Sequence, residues 1–218
     1  MPITLEDLSR MSQEVDRSTV AGRVLRAPIL VGFYGLFRKD NLTAGKAHAW
    51  NARGALVRED ILFSERGDTV WIRIRHSKTI QCGERYRWVP LVAVPGSDLC
   101  PVEALRVYML ATVGMRDDAQ LFQMEGKGKR GGLVPMTRAA LVVGIKSMAE
   151  KAGLDSSRYA GHSPRRDGAT AAQRLVDKLY IKLQGDWKSD CWERYCELDE
   201  EQRLILPAAF AEAAKELS

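Results

Sequence analysis

Hydrophobic and polar positions change period several times along this 218-residue chain, and the changes predict mostly helix with one small sheet. Thr4 with Asp7 three residues later is a capping-box pattern, predicting a helix to about Glu14. Pro28 breaks or starts the next segment. The unbroken apolar run Ile29 to Phe37 is long enough for a buried helix that holds Arg38 rigidly at its end. Alternation in Val70-Trp71-Ile72-Arg73-Ile74-Arg75 and again in Arg85-Tyr86-Arg87-Trp88-Val89-Pro90-Leu91 predicts a hairpin with Lys78 near its tip. A further strand is expected near Leu56 to Phe63.

Proline at a first helical position predicts a helix from Pro101 to about Thr112, stopped by Gly114. Thr137 caps another to Lys151, which ends at Gly153. In Gly161-His162-Ser163-Pro164-Arg165-Arg166, a Ser cap before Pro predicts a helix from Pro164 through Arg174. Ser189 caps a short helix that carries Tyr195. The segment Leu204-Ile205-Leu206-Pro207-Ala208-Ala209-Phe210-Ala211 is apolar enough either to pack on a neighbouring protomer or to close its own core.

A chain of this length buries a substantial core and suits one domain over residues 1–218 better than two. The 33 Lys and Arg exceed the 28 Asp and Glu, and the pI of about 9.1 fits a polyanionic partner without requiring one. Lys127, Lys129 and Arg130 cluster in a Gly-rich loop that can follow a phosphate backbone or be a solvated surface loop. Cys82, Cys100, Cys191 and Cys196 form no Cys-x-x-Cys pair, and His48 and His76 lack metal-ligand spacing, so structural thiols in a reducing compartment are expected. No apolar stretch reaches the roughly 20 residues of a membrane span, and the first residues lack signal-peptide regions. An intracellular protein is expected, nuclear if the source is eukaryotic.

Arg38, Lys78, His162, Arg165, Trp187 and Tyr195 suit attack on a phosphodiester by tyrosine. A phenol with a pKa of about 10 is a poor nucleophile unless its proton is accepted and the developing charge is stabilised. Guanidiniums at Arg38 and Arg165 can each grip non-bridging oxygens with paired hydrogen bonds. Such donors contribute roughly 3 kcal/mol each when fixed in place. His162 can donate to phosphate or accept a proton, whereas Trp187 can only donate. Lys78 suits the general acid for the departing sugar oxygen, with Arg75, Arg85 and Arg87 close by in sequence. Arg166 and Lys188 suit auxiliary phosphate contacts. Taken singly, each residue has an ordinary role open to it: Tyr195 and Trp187 in packing, Arg38 paired with Asp40, Lys78 in solvent, His162 in a core.

In that order, these residues resemble the signature of the tyrosine recombinases, also called phage-type integrases: Arg, Lys, His-x-x-Arg, His or Trp, and Tyr. The wording around them (Gly35-Leu36-Phe37-Arg38-Lys39, Ser77-Lys78-Thr79, Pro95-Gly96-Ser97-Asp98-Leu99-Cys100-Pro101, Trp187-Lys188-Ser189-Asp190) is most similar to the eukaryotic mobile-element branch, the Cryptons and DIRS-like elements. The resemblance runs from about Pro2 to Leu206. It implies an α+β fold, mostly α-helical, with a small antiparallel three-stranded sheet. It also implies strand cleavage through a 3′-phosphotyrosine, rejoining by a free 5′-hydroxyl without ATP, metal or other cofactor, and four protomers on two DNA duplexes from a protein monomeric alone. The family's N-terminal core-binding domain is expected to be absent, since only the residues before Arg38 precede the first signature position.

The chain departs from that pattern at Asn41, where an acid is usual, at Pro164 for a larger apolar residue, at Asp167 for glycine and at Asp186 for a residue often basic. An extra carboxylate beside a phosphate pocket repels the substrate or captures an arginine. Three functions stay open on sequence: a site-specific recombinase, a catalytically impaired DNA-binding descendant, and a type IB topoisomerase-like nicking and resealing enzyme.

Overall fold

The computed structural model describes residues 3–44, 54–75, 86–126, 132–172, 175–187 and 200–217. Helix α1 (Leu5–Gln13) starts on the expected capping box: the Thr4 hydroxyl accepts from Asp7 N at 3.0 Å, and the Asp7 carboxylate accepts from Thr4 N at 3.1 Å. Helix α2 (Val20–Tyr34) differs from expectation by starting well before Pro28 and running through it. Thr19 supplies the cap, its hydroxyl accepting from Gly22 N at 3.1 Å. An interior proline costs about 3 kcal/mol. Burial of Ile29, Leu30, Val31 and Phe33 on all sides of the helix offsets it, at roughly 1.5–3 kcal/mol per side chain.

Helix α2 stops at Gly35, and Leu36 turns the chain in the left-handed region with φ 53°. Arg38 therefore does not sit on the end of the long apolar helix. It precedes the short helix α3 (Lys39–Leu42), in extended backbone.

The sheet is antiparallel in the order β1 (Ile61–Phe63), β2 (Thr69–Ile74), β3 (Arg87–Val92), with Ile72 opposite both Ile61 and Val89. Its first strand is shorter than expected because Arg58–Asp60 form a 3-10 turn. Asp60 is the cause: almost fully buried, it accepts from Val57 N, Arg73 Nε and Arg75 Nε at 3.0, 3.0 and 2.6 Å. These charge-assisted bonds bend the chain out of the ladder. Pro90 is tolerated in β3 because that strand lies at the sheet edge.

Helix α4 (Pro101–Ala111) and helix α5 (Arg138–Lys151), with Thr137 as its cap, match the sequence pattern. Between them lies an antiparallel pair the pattern did not show, β4 (Gln123–Glu125) with β5 (Leu133–Pro135). Helix α6 (Ser163–Ala172) includes Ser163, whose hydroxyl accepts from Ala160 N instead of capping forward. Helix α7 (Lys178–Gly185) was also not anticipated. The C-terminal apolar segment lies in α8 (Glu200–Lys215), packed against α7 and β3. Phe210 is fully buried with ring centroids 5.7 Å from Phe33 and 4.8 Å from Tyr34, so α8 closes this chain's own core. Among the described residues, no helix is long and apolar enough to cross a membrane.

Small residues set the crossing that matters most for the site. A Cβ on Gly168 of α6 would come within 2.3 Å of the Phe33 carbonyl oxygen, and one on Gly32 of α2 within 3.3 Å of Pro164 Cβ. Helix α6 thus lies directly on α2, and Pro164 fills the space that Gly32 leaves open. That approach brings Arg165, on the first turn of α6, to the turn that follows α2.

Candidate active site

The Arg165 guanidinium donates from Nη1 to the Leu36 carbonyl and from Nη2 to the Gly185 carbonyl, the latter at 2.6 Å. Its Cζ stands 4.1 Å from the centroid of the Trp187 ring, a cation–π contact. One guanidinium thereby joins the turn after α2 to the C-terminal end of α7. Burial, and next the nearby Arg38, pull its pKa down to about 10, while Asp186 opposes the shift. At neutral pH it stays charged.

Arg38 is held more loosely. Its Nη2 reaches the Asp186 carbonyl at 3.5 Å, the limit of a hydrogen bond, and its guanidinium makes no other hydrogen bond among the described residues. Asn41 does not buttress that guanidinium; its Oδ1 accepts from Arg38 N at 3.1 Å, and its Nδ2 donates to Gly54 O at 3.2 Å. The free donors of Arg38 are the feature an incoming anion would use.

The structure brings Arg87, at the start of β3, to the same place. It donates from Nη2 to the Gln184 carbonyl, and its Nη1 lies 3.6 Å from the Asp186 carboxylate. Arg75, just past the end of the adjacent strand β2, is instead engaged by Glu59 and Asp60. Sequence reasoning placed Arg87 near Lys78 without assigning it to the site. Its signal was its position where the strand returns from the β2–β3 connection, which only the approach of α7 turns into a site position.

The end of α7 is shaped to receive these cations. The Gln184 and Gly185 carbonyls, which accept from arginines instead of from the helix itself, carry the negative end of the helix dipole. Asp186 ends the helix in the left-handed region at φ 56°, so its carbonyl and carboxylate reach Arg38 and Arg87. The Trp187 ring folds back so closely on Gly185 that a Cβ there would lie 1.8 Å from it. The indole N–H makes no hydrogen bond among the described residues and is available to an acceptor.

His162 is exposed in the turn before α6, and its imidazole makes no hydrogen bond among the described residues. The turn packs beside α3, since a Cβ on Gly161 would lie 3.4 Å from Lys39 Cδ. Arg166 is paired with Asp167 at 2.6 Å; that carboxylate is fully buried, and its Oδ2 is sealed without a hydrogen-bond partner among the described residues. The extra acids at Asp167 and Asp186 therefore each hold an arginine. Lys78, Tyr195, Lys188, Lys127, Lys129 and Arg130 lie outside the described residues.

An arginine cluster set where a helical layer meets a small antiparallel sheet has the donors to hold an anion, and the surrounding fold is that of tyrosine recombinase catalytic domains. The chain superposes on the XerH site-specific recombinase bound to palindromic difH substrate in a post-cleavage complex, with TM-score 0.59 and 18% identity over 100% of this chain and 52% of that one. On the FLP recombinase–Holliday junction complex the TM-score is 0.57 at 12% identity, covering 97% of this chain and 48% of that one. In sequence the chain is 30% identical over 202 residues to an integrase/recombinase xerD homolog of Selenomonas ruminantium, covering 87% of this chain and 51% of that protein. These likenesses relate it to the tyrosine recombinase/integrase family. No family model matches the chain. It spans about half the length of each of these relatives.

Proposed function

We propose that this chain carries the catalytic part of a site-specific DNA recombinase that cuts and rejoins strands through a 3′-phosphotyrosyl intermediate. The observation that carries this reading is the convergence of Arg38, Arg87 and Arg165 beside Trp187, whose indole N–H has no partner among the described residues. Fixed donors of this kind suit the charge that builds on a phosphorus undergoing in-line displacement. Tyr195 is assigned as nucleophile: its oxygen bonds to phosphorus, its proton passes to His162, and the bond to the 5′ oxygen breaks as Lys78 supplies a proton to that leaving group. One phosphodiester is exchanged for another, so ATP is not needed. Lys127, Lys129, Arg130, Lys188 and Arg166 are assigned to the DNA backbone, the last after release from Asp167.

The DNA-bound XerH and FLP relatives support duplex DNA as partner and, by extension, a tetrameric assembly on two duplexes. The wording around Arg38, Lys78, Cys100 and Trp187 supports the Crypton and DIRS-like branch of mobile elements, and with it a nuclear site of action. A second reading, a DNA-binding descendant with impaired catalysis, is favoured by the hold of Asp186 on Arg87.

The test is a library of nicked duplexes of randomised sequence that traps the covalent intermediate on a denaturing gel. Wild type should form an adduct, equally in EDTA, and Tyr195→Phe should form none. Binding without any tyrosine-dependent adduct would leave the second reading, and relaxation of supercoiled plasmid without joining of partner strands would indicate a topoisomerase-like enzyme. Asp186→Asn keeps a residue that tolerates the left-handed backbone but removes the negative charge that faces Arg87. It should raise duplex affinity several-fold, about 1 kcal/mol for a partly exposed pair, in a fluorescence anisotropy titration. Unchanged or weaker binding would mean that Asp186 does not compete with the DNA.

A further inference from the structure

A cavity of about 810 Å³ opens at the opposite end of the sheet from the arginine cluster, among the β1–β2 turn, the loop after β3, the start of α4 and the entry to α2. Strand β3 spans the separation, roughly 17 Å for its length. The motif Pro95-Gly96-Ser97-Asp98-Leu99-Cys100-Pro101 forms part of its wall, and nothing in the proposed cleavage chemistry uses it. Its shape is built: Cys100 Sγ accepts from Val94 N at 3.2 Å and Glu103 N at 3.3 Å, fixing the loop against the start of α4.

The lining is unusually cationic, with Arg17, Arg23, Arg26, Arg66 and Arg106. Arg17 is paired with Asp98 and Arg106 with Glu103, and the Asp68 carboxylate accepts from Ser64. Arg23, Arg26 and Arg66 form no ion pair among the described residues.

Arg26 is the telling one. It is only 6% exposed, its Nε donates to Ser12 Oγ at 3.1 Å and its Nη2 to the Asp98 carbonyl at 2.6 Å. Its Nη1 has no partner among the described residues. Burial, and next the neighbouring Arg17, push its pKa down. Buried charges are ordinarily paired, because an unpaired one is expensive. Here the two carboxylates that act on it, Asp98 and Glu103, are engaged by Arg17 and Arg106, which leaves this cluster of cations able to take an anion from outside.

We propose that this cavity binds a small oligophosphate, the pyrophosphate or triphosphate group of a molecule of nucleotide size, at a site separate from the phosphodiester site. Its volume lies within the range of small-molecule pockets. Guanidiniums from separate elements can grip several oxygens at once, and the apolar walls at Val94, Pro95, Ala104 and Val107 can cover the rest of such a molecule.

The experiment is an amide NMR titration of the whole chain at low salt with inorganic triphosphate, and in parallel with a short DNA duplex. The expected result is saturable triphosphate binding that shifts Gly67, Ala93 and Gly96, weakened about 10-fold or more in Arg66→Glu, which breaks no hydrogen bond or close ion pair among the described residues. Arg26→Gln should weaken it as well; should that variant fail to fold, Arg66→Glu decides. Triphosphate shifts confined to the surroundings of Arg38 and Arg165, or an Arg66→Glu affinity equal to wild type, would overturn the proposal. So would a duplex that shifts the same cavity residues as strongly, since the cavity would then be part of a DNA surface.

Discussion

Replacing either Arg165 or Arg38 with alanine is expected to slow strand cleavage by at least about 100-fold. The two losses should have different companions. Arg165 also ties Leu36 to Gly185 and lies over Trp187, so Arg165→Ala should lower the melting temperature and loosen the end of α7. Arg165→Lys keeps the charge but not the fork that spans both carbonyls, and should stay well below wild type. Among the described residues the Arg38 guanidinium makes one long hydrogen bond, so Arg38→Ala should leave stability within about 0.5 kcal/mol while losing the rate. Single-turnover cleavage of a nicked duplex and urea melts separate the two cases. Cleavage at near wild-type rate by folded Arg38→Ala would remove it from the phosphate site.

The second large effect is on folding. Glycine to alanine within a helix ordinarily stabilises by up to about 1 kcal/mol. At Gly168 the sign should reverse, because the new methyl would meet the Phe33 carbonyl oxygen at 2.3 Å and the backbones of α2 and α6 would have to separate. Gly168→Ala should cost about 1–3 kcal/mol in urea unfolding, and Gly168→Val more. Cleavage should fall along with stability, since the separation withdraws Arg165 from Leu36. A stabilised Gly168→Ala would mean that the crossing is looser than the structure has it.

Local rules wrote the parts of this fold that the sequence showed. The Thr4–Asp7 box, the proline start of α4, the Thr137 cap of α5 and the alternation of β2 each lie within one element, so a short window contains the whole cause. The misreadings had causes elsewhere in the chain. Pro28 looked like a boundary because its cost is local, whereas the packing that offsets it comes from α4 and α6. Asp60 shortened β1 through arginines on β2 and beyond it. Strands β4 and β5, three residues each, are too short to establish a period, and β4 is instead anchored by Gln123 N donating to the buried Tyr108 hydroxyl at 2.8 Å.

The site divides in the same way. Arg38, Arg165 and Trp187, singled out because their order and chemistry suit one reaction, do meet at the end of α7, whereas His162 stays exposed in the turn before α6. Arg87 was not singled out, because its place depends on the end of α7, an element the hydrophobic pattern did not reveal. The expectation that added acids would capture arginines is met in geometry: Asp186 holds Arg87 and Asp167 holds Arg166. A cluster of cations needs negative groups near it until a phosphate arrives, and the carbonyls of Leu36, Gln184, Gly185 and Asp186 serve that purpose here.

The most direct measurement is peptide mapping by mass spectrometry of the covalent complex trapped on a nicked duplex. The expected result is a 3′-phosphate joined to the phenolic oxygen of Tyr195. DNA joined to any other residue, or no covalent DNA on a folded protein that binds the duplex, would contradict tyrosine attack at this arginine cluster.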